Sequence, residues 1–170
     1  MISPLNLPAS VVTTAGDLVL RRARYDDLGA IVGLFSDDPI SAGRGDTADP
    51  ADLPAYGRAL EEISMDPSNE LVVVVDTSDR PVATLQITRI PGLARRGATR
   101  LLVEAVRVAG SRRSEGIGSA MMRWVVDEAA PATGATLVQL TSDEARADAH
   151  RFYERLGFVG SHRGFKLRLG

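Results

Sequence analysis

Glu104 interrupts an otherwise apolar run, and Arg112, Arg113, Gly116 and Gly118 follow it within residues 101–119. These residue types suit two pieces of chemistry. A carboxylate among apolar neighbours is costly unless it serves a purpose, and desolvation would make it a readier proton acceptor. Arginines beside closely spaced glycines suit an anion, because a residue without Cβ lets a phosphate approach backbone N–H groups. Asp37, Asp38, Asp46, Asp49 and Asp52 give residues 36–54 an acidic character that fits either a solvated loop or a lip attracting an amine.

Known phosphate motifs narrow the reading. A dinucleotide fingerprint needs GxGxxG, and Met121 stands where the third glycine belongs. No GxxxxGK[ST] occurs. What remains is R-x-x-G-x-G, from Arg113 to Gly118. The chain has no cysteine, which removes disulfides, thiolate catalysis and Cys-based zinc sites. With only His150 and His162 and no HExxH, no metal is expected, and the absence of GxSxG argues against a serine hydrolase. A net charge of -2 gives no global case for nucleic acid or an anionic membrane. No apolar run approaches the roughly 20 residues of a membrane span. Residues 1–14 lack the charged start of a secretory signal, so a cytoplasmic location is expected.

The elements that must position these groups follow from periodicity. Residues 101–108 are apolar and branched, as a buried strand should be. Strict alternation puts Leu102, Glu104, Val106 and Val108 on one face and Leu101, Val103, Ala105 and Arg107 on the other. Ile117, Ala120, Met121, Trp124 and Val125 then repeat at helical spacing, with Pro131 as the stop. A strand turning into a helix presents unpaired N–H groups and a positive dipole end to an anion.

Before this unit, residues 1–15 read as a loose arm and 16–170 as one domain. Residues 17–22 form a strand. Leu28 to Phe35 form a helix, with Asp26 as its N-cap. Residues 36–54 are irregular, 55–65 helical, and 71–75 and 81–90 make a strand hairpin. After it, 137–140 should be a strand parallel to 101–108. Thr141 and Glu144 have capping-box spacing for a helix whose buried face carries Ala149, Phe152, Tyr153 and Leu156. Gly157 is placed to end it, and 158–159 and 164–169 read as closing strands. The fold class is α/β (α+β in some schemes), a mixed central sheet of about six or seven strands with helices on both faces.

Two motifs carry a family resemblance. R-x-x-G-x-G at a strand-to-helix turn, followed by AHRFYERLGF over 149–158, resembles the GNAT superfamily of N-acetyltransferases. The resemblance covers roughly residues 17–169 and implies acetyl-coenzyme A as co-substrate, with no metal. It implies that the backbone of Val106, Arg107 and Val108 pairs with the pantetheine arm. It also implies that Arg112, Arg113, Ser114, Glu115, Gly116, Ile117, Gly118 and Ser119 cradle the pyrophosphate. Ser114 departs from the glycine common there, and Arg146 from a common asparagine. Arg89, Arg95, Arg96, Arg100, Arg107, Arg112 and Arg113 cluster with Glu104 as the only acid between 89 and 113. Phosphate contacts are expected of Arg112 and Arg113, and a solvated face of most of the others.

The resemblance implies direct acetyl transfer to a primary amine of a small molecule in a ternary complex. Glu104 would be the base, Tyr153 the acid, a backbone N–H near Val106 the oxyanion donor, and Gln86 and Thr88 would line the acceptor site. The alternatives are a peptide or protein N-acetyltransferase and a non-catalytic acyl-coenzyme A sensor. A homodimer is expected from the family, and neither nucleic acid nor membrane as partner.

Overall fold

The computed structural model describes residues 2, 5–167 and 169. The chain divides into two compact units, Met1–Gln139 and Leu140–Gly170. Its centre is a six-stranded mixed sheet in the order β1-β2-β3-β4-β5-β6, formed by β1 (Ala9–Thr13), β2 (Gly16–Arg22), β3 (Asn69–Val75), β4 (Pro81–Ile90), β5 (Arg100–Val108) and β6 (Leu137–Leu140). The first five pair antiparallel in sequence order. Helices cover both faces, so the architecture is α/β as the element pattern predicts.

On one face lie α1 (Leu28–Ser36) and α2 (Leu53–Met65). Leu28, Ile31, Val32 and Leu60 from these helices pack on Leu71, Val73 and Val75 of β3. The alternate residues Val72 and Val74 are equally buried on the other face. A strand covered on both sides has no polar face to show, which is why residues 71–75 read LVVVV. The second face belongs to α3 (Ile117–Trp124), which packs on β1 and β5 and buries Ile117, Ala120, Met121 and Trp124. Thr84 is fully buried but satisfied, donating to the Val72 carbonyl at 2.9 Å.

Several expectations need correction. The described residues among 1–15 do not form a loose arm: β1 forms the sheet edge, and Ile2, Leu5 and Val11 are buried. A proline-containing start masked a strand that tertiary burial supplies. Asp27, not Asp26, stands at the N-cap of α1; its carboxylate bonds none of the helix's own N–H groups and instead accepts from the Arg24 N–H at 2.7 Å, across the turn Tyr25–Asp27. Pro131 does not stop the third helix. Residues Val125–Ala129 widen into a π-turn, with Ala130 donating to the Val125 carbonyl, and the helix continues through Ala130–Ala132. A widened turn tolerates the missing proline donor. Gly134, at φ 68, follows.

In the second unit, α4 (Ala147–Arg155) begins three residues after Glu144, so the capping box does not form; Asp143 instead accepts from the Ala145 N–H at 2.9 Å. Gly157 (φ 88) does terminate α4, and the Phe158 N–H returns to the Tyr153 carbonyl at 3.1 Å. Residues 158–159 and 164–167 form no strand, and Arg168 lies outside the described residues. Val159, Phe165 and Leu167 are all more than four-fifths exposed, so their alternation has no packed face behind it.

A buried ion network fixes the start of α1. Arg21 grips Asp27 through two hydrogen bonds, Nη1 to Oδ2 at 2.7 Å and Nη2 to Oδ1 at 3.0 Å. Its Nε donates to Asp79 in the β3–β4 turn at 2.8 Å. Burial pushes the Asp27 carboxyl up, but hydrogen bonds from Arg21 and Arg24 and the charges of both arginines outweigh it and hold it below its ordinary value. A depressed carboxylate stabilises the fold above its unfolded pKa, and that contribution is lost as pH falls through the folded value. Asp27→Asn is therefore expected to cost on the order of 3 kcal/mol at neutral pH, because buried Arg21 then keeps only the exposed Asp79 as its counter-charge. Urea unfolding at pH 7 and across pH 2–5 checks this: the variant's acid-side loss of stability should be shallower than the wild type's.

Candidate active site

β5 is not a regular strand. Its register against β4 slips between Thr84 and Gln86, and Ala105 takes φ 53. This is a β-bulge: one extra residue on β5 opposes the β4 segment, and the alternation inverts beyond it. Glu104 stands opposite Gln86, and Arg107 opposite Thr84. Since Thr84 and Gln86 share a face, Glu104 and Arg107 share one too, the face of α1 and α2. Strict alternation put them on opposite faces. The burial argument for Glu104 also fails: its side chain is exposed, so the cost of a carboxylate in an apolar register does not arise.

On that face, within Met1–Gln139, is a cavity of about 310 Å³. Its walls come from α1 (Leu28, Ile31, Phe35), α2 (Tyr56, Ile63), β3 (Leu71), β4 (Gln86) and the bulge itself (Ala105, Arg107). Asp46 of the acidic segment reaches it as well. The other acids of that segment serve local structure. Asp38 is buried and caps the turn at Pro39–Ala42 by accepting from the Ser41 N–H. Asp49 caps the turn at Pro50–Asp52. Asp37 accepts from the Gly110 N–H at 2.9 Å and ties the end of α1 to the loop after β5. Gln86 lines the cavity, its amide donating to Asn69 Oδ1 at 3.0 Å. Thr88 bonds the same Asn69 oxygen at 2.6 Å and is not in the lining.

The opposite edge of β5 is open at its end. Thr136 N–H donates to the Thr99 carbonyl, so β6 starts level with the beginning of β5. Four residues of β6 cannot run the length of a nine-residue strand, and Val106–Val108 extend beyond it. Beyond them the chain turns through Gly110–Arg112 into α3. Ser114 (φ 67) and Gly116 (φ 78) are both left-handed. That conformation curls successive N–H groups toward one side, and α3 begins at once with no side-chain cap. The first amides of α3, at Ile117, Gly118 and Ser119, precede the first intrahelical donor, Ala120, which bonds the Gly116 carbonyl at 2.9 Å. An uncapped helix start behind a curled loop has the donor set for a phosphate, so the residues present fit the pyrophosphate of coenzyme A.

Side chains build the loop more than they reach out of it. Arg112 is spent on Glu115, Nε to Oε2 at 2.5 Å, while Arg113 is exposed. The β1–β2 hairpin tip braces the turn from behind, with Thr14 N–H donating to the Glu115 carbonyl at 3.0 Å. The arginine cluster disperses: Arg89 holds the Thr133 carbonyl at 2.9 Å, and Arg107 faces the cavity. Among the described residues, no group of acids and histidines could hold a metal ion.

In the second unit, Tyr153 is half-buried between two aromatic neighbours, edge-on to Phe152 with ring centroids 5.0 Å apart and to Phe158 at 5.9 Å. Arg146 immediately precedes α4. The residues that sequence reasoning passed over are Tyr56, Phe35 and the side chain of Arg107. Tyr56 and Phe35 carried only helical spacing, and Arg107 was hidden by the bulge.

Comparison with known proteins identifies the family and the fold. Residues 30–158 match the acetyltransferase (GNAT) family. Over 67 residues the chain is 40% identical to an aminoalkylphosphonate N-acetyltransferase of Salmonella typhimurium; that match spans 39% of this chain and 43% of the relative. A solved structure described as a transcriptional regulator from Bacillus halodurans C-125 superposes with TM-score 0.84 at 37% identity, covering 89% of this chain and 99% of the other. Glucosamine-6-phosphate N-acetyltransferase from Arabidopsis thaliana shares the fold, with TM-score 0.71 at 17% identity over 90% and 99% of the two chains.

The left-handed turn yields a stability test. A residue with Cβ at positive φ costs about 1–2 kcal/mol. Ser114→Gly should therefore stabilise the fold, by up to about 1 kcal/mol after glycine's added unfolded-state freedom. At Gly116 an added Cβ meets Thr14 N only at 3.5 Å, an ordinary contact, so Gly116→Ala should cost conformational energy alone, about 1 kcal/mol. Urea denaturation of both variants reads the two signs.

Proposed function

We propose that this chain, which belongs to the GNAT family of acetyltransferases, moves the acetyl group of acetyl-coenzyme A directly to a primary amine of a small molecule held in the cavity beside the β5 bulge. The observation that carries the reading is the uncapped, curled turn at Ser114–Ser119 directly after a strand end that extends beyond its neighbour. Backbone amides there hold the pyrophosphate, and the exposed Arg113 adds charge. The edge of Val106–Val108 beyond β6 pairs with the amide groups of the pantetheine arm, as an added strand would. Bound acetyl-coenzyme A supplies an activated acetyl group and a thiolate leaving group.

The chain's own residues do the rest. The cavity orients the amine, which is the largest single gain open to a two-substrate reaction. Glu104 faces the acceptor side one residue before the bulge and takes the amine proton on its carboxylate; because it is exposed, that proton passes through water. The Val106 N–H is the donor that meets charge developing on the acyl oxygen. Tyr153 Oη gives its proton to the departing sulfur, a role supported by its place in the AHRFYERLGF motif. A pocket of about 310 Å³ has room for a small acceptor. The Salmonella relative's name points the same way.

Thiol release from acetyl-coenzyme A across a panel of amines, amino acids, aminophosphonates, aminoglycosides and peptides tests this. Turnover with a small amine is expected; binding of acetyl-coenzyme A with no turnover on any of them would favour a sensor. Tyr153→Phe should lower kcat by roughly 10²-fold with little change in affinity for acetyl-coenzyme A. Glu104→Gln should lower kcat/KM at neutral pH; an unchanged value would remove Glu104 as the base.

A further inference from the structure

The cavity beside the β5 bulge holds a carboxylate that the steps above leave unused. Its part rests on the transfer reading, which makes this cavity the acceptor's place. Glu104 is exposed and does not belong to the wall. Among the described residues the acid in the wall is Asp46, which is half-buried. Most of the remaining wall is apolar, from Leu28, Ile31, Phe35, Ile63 and Leu71. Asp46 does not act as one of a cluster: Asp37, Asp38 and Asp49 serve local structure, and Asp52 accepts from Thr47 Oγ1 at 3.1 Å.

Backbone and side chain both fix Asp46. Its N–H donates to the carbonyl of buried Ser41 at 3.1 Å, directly after Gly45, whose φ of 103 turns the chain back. Tyr56 of α2 holds the carboxylate, Oη donating to Oδ1 at 3.3 Å. Burial first, and then the neighbouring Asp46, pushes the Tyr56 phenol up, so it remains a neutral donor. Among the described residues this is the single hydrogen bond that the Asp46 side chain accepts. A carboxylate can accept several, so Asp46 keeps capacity where it meets the cavity. Arg107, in the same wall, serves the protein instead, with Nη1 donating to the Val106 carbonyl at 2.7 Å and Nη2 to the hydroxyl of Ser41.

An alkylamine is an ammonium at neutral pH, with three N–H donors on an apolar body. The wall answers both parts, with an oppositely charged acceptor for the ammonium and apolar surface for the body. An alcohol of the same shape would cover Asp46 without a charge-assisted hydrogen bond, a penalty that binding must absorb. We propose that Asp46 selects the acceptor as a cation: its carboxylate receives the acceptor's ammonium, and Tyr56 is the positioning residue that aims that carboxylate. A carboxylate favours the charged amine over the free base, so Asp46 serves capture and not attack. The ammonium proton then leaves through water to Glu104, and the freed amine attacks the thioester.

Calorimetric titration at neutral pH, with coenzyme A present, tests this on matched pairs that exchange the ammonium for a hydroxyl. The pairs are 3-methylbutylamine against 3-methylbutan-1-ol, 2-phenylethylamine against 2-phenylethanol, and 2-aminoethylphosphonate against 2-hydroxyethylphosphonate. The wild type should bind the amine more tightly in at least one pair, by roughly tenfold. In Asp46→Asn that ratio should fall to about one, since no charge remains for the ammonium to meet. Asp46→Glu should keep part of the preference. Tyr56→Phe leaves the charge and removes its hydrogen bond, so the preference should persist and lessen. In steady-state kinetics with the preferred amine, the loss in Asp46→Asn should fall mainly on KM.

Taking the ratio within each variant cancels any general change in cavity shape. A wild type that binds amine and alcohol alike, or binds none of the amines, would overturn the assignment of Asp46. So would a preference that survives undiminished in Asp46→Asn. Thiol release from acetyl-coenzyme A reports on transfer separately in each case. A preference that vanishes in Asp46→Asn, with no turnover of any amine by the wild type, would uphold Asp46 as the ammonium site and overturn the transfer reading.

Discussion

One extra residue in β5 sets the geometry on which the proposed site depends. With Ala105 held at φ 53, the strand loses its regular alternation. Glu104 and Arg107 come to the same face, opposite Gln86 and Thr84. A bulged strand also bends and twists more strongly, which keeps its end from lying flat against a neighbour. The cavity lining at Ala105 and Arg107 and the open strand edge therefore lie at one local irregularity. A left-handed alanine is costly, and it persists because the structure around it is over-determined. β4 pairs with β5 on both sides of the bulge, and Arg107 clamps the carbonyl of Val106.

The face opposite the bulge is held just as firmly. α1 supplies Leu28, Ile31 and Phe35 to the cavity, and its entry is pinned by Asp27 against the buried Arg21. Arg21 in turn reaches Asp79 in the β3–β4 turn. At the other end of α1, Asp37 holds the Gly110 N–H in the loop that leads to the anion site. A single helix thus links the sheet, the cavity and the turn. The N-terminal hairpin contributes from behind, where Thr14 bonds Glu115. The proposed anion site therefore rests mainly on backbone held by side chains, with the exposed Arg113 adding charge.

Much of this is legible in the sequence where one physical signal dominates. Residues 71–75 announce a two-sided strand, Ile117 to Val125 a helix face, and Gly157 a helix end, because burial and φ restrict which residues fit. R-x-x-G-x-G with AHRFYERLGF identifies the family before any fold is drawn. The failures have a common cause: each depends on tertiary context. Alanine and serine do not advertise left-handed φ as glycine does, so the bulge at Ala105 leaves no mark, and Ser114 registers only as a departure from a glycine. With the bulge unseen, Glu104 is misread as buried and Arg107 is assigned to the wrong face. β1 is a strand because the sheet edge and α3 cover it. Residues 164–167 alternate equally well and form no strand, because alternation without burial carries no energy.

The central claim is that backbone amides of the turn, not arginine side chains, hold the coenzyme. Nuclear magnetic resonance of the ¹⁵N-labelled protein, titrated with coenzyme A, reads it amide by amide. The account predicts that the N–H signals of Ser114 to Ser119 show the largest shifts, and that Arg112→Gln weakens binding only through its loss of Glu115. Coenzyme A that binds with those amides unmoved, and with the largest shifts elsewhere, would contradict it.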